Sequence, residues 1–293
     1  MNNPTWMKTI TEEQYRMQPW MLPETTWGYY ANGRSLANLA QDFAPISLNE
    51  MDGVALLDRT DTKFVVTNRQ LLMALAAVQH EYRILSVQGQ RLNHYRTLYF
   101  DTPNFSLYHL HVNDRSDRYK VRSREYTDSN LSFLEVKHKT NKGRTIKDRI
   151  RTNQPVSRVT QEVAPWLNGV YPYGSQALEP KLWNTFTRIT LVSMYCCERV
   201  TLDIDLSFYT SEKAVSLDNV AVVEVKMDSN NRGSAFLSQM RKQKIHPSGF
   251  SKYCLGVSML YDNVKKNNMK PKILMVNKMM GRGVNYEIGR AHV

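Results

Sequence analysis

The segment RYKVRSREY (118–126) places Arg118, Lys120, Arg122 and Arg124 at every second position. In a strand, residues two apart share a face, so these four cations point one way and Tyr119, Val121 and Ser123 the other. The alternation recurs along the chain. LSFLEVKHK (131–139) groups Glu135, Lys137 and Lys139 opposite Leu134 and Val136, and RTIKDRIR (144–151) groups Lys147, Arg149 and Arg151 opposite Ile146 and Ile150. In ERVTLDIDL, Arg199, Thr201, Asp203 and Asp205 alternate with Val200, Leu202, Ile204 and Leu206. In VAVVEVK, Glu224 and Lys226 share a face with Val222, and Asp61 sits with Lys63 near the start. Arg offers a planar fork for phosphate oxygens and Lys a mobile point charge, so a surface of both suits a chain of phosphates. The interleaved carboxylates Glu135, Asp203, Asp205 and Glu224 have two readings. They pair with neighbouring cations, or some of them hold a divalent ion bridging phosphate oxygens, with Glu224 the strongest candidate because it is mid-strand. His94, His109, His111 and His138 read as surface or packing residues, and no Ser/His or Cys/His nucleophile is evident.

These side chains need strands to hold them. Strands are expected at 60–67, 82–87 and 95–101, with a helix capped by Asn68 and running to about Ala77, and a helical turn at 106–112. A meander follows at 118–126, 131–139 and 144–151, its turns at 127–130 and 140–143 rich in turn formers. Helical stretches near 156–168 and 176–183 precede a hairpin of 185–195 with 198–209. A last strand at 220–227 leads into helices near 233–243 and 251–266. Ser47 with Glu50 forms a capping box over a short helix. The class expected is α+β, with eight or nine mostly antiparallel strands closing into a barrel, because closure removes exposed edges. A wet outer sheet face explains any one charged strand. Adjacent strands dominated by one sign argue otherwise, since like charges in cross-strand pairs repel. With helices 233–243 and 251–266 covering the apolar faces from outside, the charged faces turn inward around a polyanion.

Composition bounds the setting. The chain has 293 residues and a net charge of +12, from 39 Lys+Arg against 27 Asp+Glu, which points to an acidic partner: nucleic acid, anionic lipid or polyphosphate. Residues 112–152 alone hold 12 Lys+Arg against 6 Asp+Glu, so the excess concentrates in the meander. Three cysteines without ligand spacing suggest a reducing compartment. With no apolar run near the roughly 20 residues that span a bilayer and no signal pattern, a cytoplasmic location is expected. Residues 1–45 read as a loosely ordered extension, 46–266 as one domain, and 267–293 as a tail. The last residues, EIGRAHV (287–293), read as translated adapter oligonucleotide.

Nine segments then occur in order: RTDTKF (59–64), YFDT (99–102), RYKVRSREY, FLEVKHK (133–139), GRTIKDR (143–149), TRIT (187–190), RVTLDIDL (199–206), VVEVK (222–226) and FSKYCLGVSML (250–260). Over roughly residues 46–262 they closely resemble the VTC domain, the polyphosphate polymerase domain of the vacuolar transporter chaperone complex and its bacterial relatives. That family belongs to the triphosphate tunnel metalloenzymes, of CYTH-like fold, so the resemblance implies an eight-stranded antiparallel β-barrel tunnel with flanking helices. It implies that Lys63, Arg122, Arg124, Lys137, Lys147, Arg188, Arg199 and Lys252 bind the nucleotide triphosphate and the growing chain. Glu224 matches the carboxylate that holds manganese or magnesium. The implied reaction moves the γ-phosphoryl group of ATP onto a phosphate or polyphosphate end, and any translocation is left to a separate membrane protein. Two departures stand out. Arg59, Asp61 and Lys63 occupy a strand that elsewhere in the superfamily reads Glu-x-Glu-x-Lys, and losing the first carboxylate disfavours hydrolysis. Gly249 stands where the polymerase has a second lysine. The alternatives are a tunnel triphosphatase and a non-catalytic polyphosphate sensor. Nucleic acid ranks lower, because aromatics of the basic strands such as Tyr119 alternate to the opposite face.

Overall fold

A computed structural model describes residues 8–9, 35–52, 59–228 and 233–282. Its strands are β1 (Lys8–Thr9), β2 (Ala44–Ile46), β3 (Arg59–Thr67), β4 (Tyr82–Leu85), β5 (Asn93–Asp101), β6 (Arg118–Tyr126), β7 (Leu131–Lys139), β8 (Thr145–Thr152), β9 (Glu179–Ser193), β10 (Glu198–Tyr209), β11 (Lys213–Ser216) and β12 (Val220–Asp228). The helices are α1 (Leu36–Gln41), α2 (Leu48–Asp52), α3 (Asn68–Val78), α4 (Ser106–Val112), α5 (Ala164–Val170), α6 (Ala235–Lys242), α7 (Lys252–Leu260) and α8 (Lys270–Met279). All strands join one 12-stranded sheet. An antiparallel run goes β3–β12–β10–β9–β5–β6–β7–β8. β11 extends β10 and pairs with β1, and β4 joins β9 to the parallel β2.

The expected closed barrel is not formed: among the described residues β3 pairs only with β12, and β8 only with β7. β8 is an exposed edge carrying Lys147, Arg149 and Arg151, and β3 opens with Arg59, like charges that disfavour pairing of the two edges.

Two apolar clusters cover the outside of this curved sheet. On one wall Phe64, Val66, Ile189, Leu191, Val200, Leu202, Val223 and Val225 pack under α1, α3 and α6. On the other, Leu98, Val121, Leu134 and Val136 pack under α5. The third cluster lies on the inner face, where Val65, Tyr99, Leu182, Phe186, Leu206, Phe208 and Val222 meet α7 and α8. α7 therefore does not cover the sheet from outside as expected. Every residue from Tyr253 to Leu260 is buried, the pattern of a helix enclosed on all sides.

One extra residue makes room for α7. The β9–β10 register shifts between Ile204 and Ser207, and Asp205 takes a left-handed φ of 51°. Asp tolerates that region better than most residues. The bulge reverses the parity of β10: Asp203 faces inward, as do Leu206 and Phe208 after it. The expected shared face of Asp203 and Asp205 is thus broken.

Other boundaries also differ. Of residues 176–183, only the first two are helical, closing a 3-10 turn at Ser175–Ala177; from Glu179 the chain is β9, where Leu182, Asn184 and Phe186 follow a period of two. Part of the expected loose extension is built in: Leu36, Leu39, Ala40 and Phe43 are core residues, and Ser35 caps α1. Part of the expected tail is helix α8, whose Ile273 and Val276 are buried. EIGRAHV lies outside the described residues. Ser47 and Glu50 do form a capping box, but α3 is capped by Thr67 with Gln70, not by Asn68.

Candidate functional site

The strand registers bring the charged positions into ranks across the inner face. Lys63 pairs with Glu224, Glu224 with Thr201, and Asp203 with Arg188. On the other wall Arg122 pairs with Glu135, Glu135 with Arg149, and Lys137 with both Lys120 and Lys147. Eight predicted cations and Glu224 thus share one concave surface, with α7 delivering Lys252 at its first turn.

Three carboxylates hold the cations apart. Glu224 lies 2.6 Å from Lys63 through Oε1 and is bonded by Lys226 through Oε2. Burial alone would raise its carboxyl; Lys226 and Lys63 overcome that and hold it well below the usual range. Asp203 accepts from Arg188 Nε at 2.6 Å and Nη2 at 2.8 Å, and from Lys252 Nζ. Burial opposes its ionisation too, and Arg188 with Lys252 again prevails. Glu135 accepts from Arg122 Nε at 2.6 Å.

The cations outnumber these partners. Arg124 is buried, and its Nε reaches only Thr97 Oγ1, at 3.4 Å. Burial and the neighbouring Arg122 depress it. Lys120 donates to Ser251 Oγ at 3.1 Å, just before α7, and burial pulls its ammonium down to about 8. Lys252 is likewise drawn down to about 8 by burial, which Asp203 only partly counters. Arg199 lies within electrostatic reach of Arg59, Arg188 and Glu224. Lys137 and Lys147 are exposed along the edge of the lining, and Lys147 is within reach of Arg59, Asp61 and Glu224 across the gap between the end strands. A surface this cationic, with its buried amines drawn down by desolvation, is chemically able to hold an anion with several charges.

Lys120 and Lys226 were missing from the candidate set, although each shares its strand parity with chosen residues. Aromatic rings were missed as well. Tyr95, Tyr126, Phe133 and Phe186 lie on the inner face, so the generalisation from Tyr119 fails; Tyr119 itself packs outside against His138. The histidines stay off the lining. His94 pairs with Asp128, His138 with Asp117, and His111 bonds the Tyr119 carbonyl, with burial lowering it to about 2. At Gly249, where no lysine stands, Lys272 of α8 brings its ammonium to the backbone carbonyl.

Among the described residues no group of three His, Cys, Asp or Glu gathers to cage a metal ion. The donors fit another mode. Magnesium and manganese are held by one or two carboxylates when phosphate oxygens complete the shell, and Glu224 and Asp61 stand on adjacent strands, two residues apart in register on the same face. No helix among the described residues is long and apolar enough to cross a membrane.

The family model described as the VTC domain matches residues 58–261. No curated protein matches the chain. Solved structures include a Hippeastrum protein described as a candidate adenylyl cyclase with dominant triphosphatase activity. It is 14% identical with a TM-score of 0.46, covering 71% of this chain and 99% of its own. A candidate adenylate cyclase from Bacillus halodurans is 11% identical with a TM-score of 0.42, covering 70% and 98%. One from Vibrio parahaemolyticus is 12% identical with a TM-score of 0.38, covering 66% and 94%. Likenesses of this size carry no argument about chemistry.

Proposed function

The chain belongs to the VTC domain family, and from that membership and the cation-lined inner face we propose that it is an ATP-dependent polyphosphate polymerase. An oxygen of the acceptor's terminal phosphate attacks the γ-phosphorus of ATP. The bond to the β–γ bridging oxygen breaks, and ADP leaves with that oxygen. The observation that carries the reading is the surplus of cations on one face: Arg122, Arg124, Lys120, Arg188 and Lys252 converge where Asp203 and Glu135 offset only part of the charge.

Phosphoryl transfer needs in-line positioning and neutralised charge, not a protein nucleophile. Arg122 and Arg188 present forks already aligned by their carboxylates, so phosphate oxygens meet oriented donors. An arriving anion favours the charged form of Lys120 and Lys252, which act as mobile partners for the migrating phosphoryl group. Lys137, Lys147 and Arg149 flank the exposed edge along which a lengthening chain lies. Glu224 and Asp61 would hold a magnesium or manganese ion carried on the phosphates, and such an ion when bound neutralises charge on the bridging oxygen. Arg59 donates to Asp61 at 3.0 Å and stands where hydrolytic relatives place a carboxylate, which disfavours water activation.

The test is incubation of the purified chain with ATP and manganese. ADP together with a phosphate polymer supports the proposal. Free phosphate without polymer makes it a triphosphatase, and tight polyphosphate binding without turnover makes it a sensor.

A further inference from the structure

A row of aromatic rings crosses the inner face beside the cations, and phosphate gives it no partner. Phe186 on β9 stacks on Tyr95 of β5 at 5.0 Å between centroids and 12° between planes. Tyr95 meets Tyr126 of β6 at 4.9 Å, and Tyr126 meets Phe133 of β7 edge-on at 5.8 Å. The row begins buried at Phe186 and emerges: Tyr95, Tyr126 and Phe133 are only half-buried.

The rings divide by what lies over them. Arg188 stands 5.1 Å and Arg124 5.6 Å from Tyr95, and Lys252 stands 4.4 Å from Phe186. Those two rings are explained as supports for buried cations. Tyr126 and Phe133 are not. They face the open part of the lining, and Arg149, itself exposed, lies 4.9 Å over Phe133. That contact shows the Phe133 face takes a flat, delocalised group. Tyr126 is two residues from Arg124 on one strand, a separation of about 7 Å that leaves room for a sugar between a base and its first phosphate.

We propose that Tyr126 and Phe133 form the nucleobase subsite: the base of the incoming nucleoside triphosphate stacks on one of these near-perpendicular rings with the other against its edge, while its phosphates run onto Arg124, Arg122 and Arg188. The inference rests on the reading that the chain uses ATP, and it adds where the base sits and how it is held. Stacking accepts any base, so GTP binds about as well as ATP.

Calorimetric titration of the full chain with ATP and with inorganic tripolyphosphate tests it, in wild type, Tyr126→Leu, Phe133→Leu and Tyr126→Phe. Each leucine variant weakens ATP binding by about 5- to 150-fold, the usual worth of a stacked base, and leaves tripolyphosphate within about twofold. Tyr126→Phe keeps the ring and stays near wild type for both ligands. Equal weakening for both ligands in the leucine variants overturns the subsite, because the rings then serve only to hold the cations. Unchanged ATP binding overturns it as well. A wild-type chain that binds neither ligand sinks the polymerase reading itself, and the subsite with it.

Discussion

Replacing Asp203 by asparagine separates a polyanion site from an ion-pair network that merely holds the sheet together. Asp203 is 4% exposed and lies between Arg188 and Lys252. Asparagine keeps the volume and removes the charge, leaving two cations with no carboxylate between them. Losing one partner of a buried pair costs about 3–5 kcal/mol. The side chains of Arg188 and Lys252 are 19% and 13% exposed, so some water reaches them; about 3 kcal/mol is then the expected cost. For a domain of this size that lowers the ligand-free melting temperature by about 6–12 °C. Tripolyphosphate at about 100 times its Kd stabilises wild type by about 2.7 kcal/mol. In the variant a phosphate also replaces the missing carboxylate, so most of the lost 3 kcal/mol returns and the ligand-induced rise is about twice that of wild type. Thermal unfolding at low salt, with and without ligand, reads both quantities. A cost below about 1 kcal/mol, or equal ligand-induced rises in the two proteins, refutes the reasoning.

Gly256→Ala places a Cβ 2.5 Å from Leu182 Cδ2 and 2.8 Å from Phe208 Cδ1, so it costs about 1–3 kcal/mol although alanine is the better helix former; a stabilised variant in urea unfolding would mean α7 does not lie on the inner face. Asp101 is buried and accepts from Leu107 N and Tyr108 N, each at 2.8 Å, and from the Tyr253 hydroxyl. Asp101→Asn turns an amide toward donors and costs about 2–3 kcal/mol, measured the same way. Burial lowers Lys120 and Lys252 to about 8 in the folded chain against about 10.4 unfolded, so the unfolded state binds more protons between those values. The ligand-free melting temperature therefore rises with pH across that window from these two groups, while tripolyphosphate affinity falls; a pH titration of both checks the opposed signs.

Much of the lining was legible because a strand's period is two. The parity of Arg122 and Arg124 on β6, of Lys137 on β7 and of Glu224 on β12 survives unchanged into the structure. The same rule, applied one step further, includes Tyr126, which shares the parity of Arg124, and Phe133, which shares that of Glu135. The nine family segments fix order along the chain but not closure, which depends on how far β3 and β8 approach each other in space. Asp205 looks regular within LDIDL, since aspartate at a positive φ leaves no glycine as a marker. The site of α7 was half legible: its residues are apolar on every side, which signals enclosure but not which side of a sheet encloses it. Residues 176–183 misled through the four-residue spacing of Leu178 and Leu182, which a strand with one intervening turn also produces.

The extra residue at Asp205 acts as a phase switch. Before it the inward positions of β10 are wettable, with Arg199, Thr201 and Asp203; after it they are oily, with Leu206 and Phe208. The border between the wet and dry halves of the inner face is thus drawn by an insertion in the backbone, not by a change in the alternation of residue types. Flattening the bulge with Asp205 kept as an ordinary extended residue would turn Asp205, Ser207 and Tyr209 inward, swing Leu206 and Phe208 outward and deprive α7 of its seat. It lengthens the wettable stretch by about 7–13 Å of strand. In this architecture the backbone conformation at one residue sets how deep a charged guest reaches.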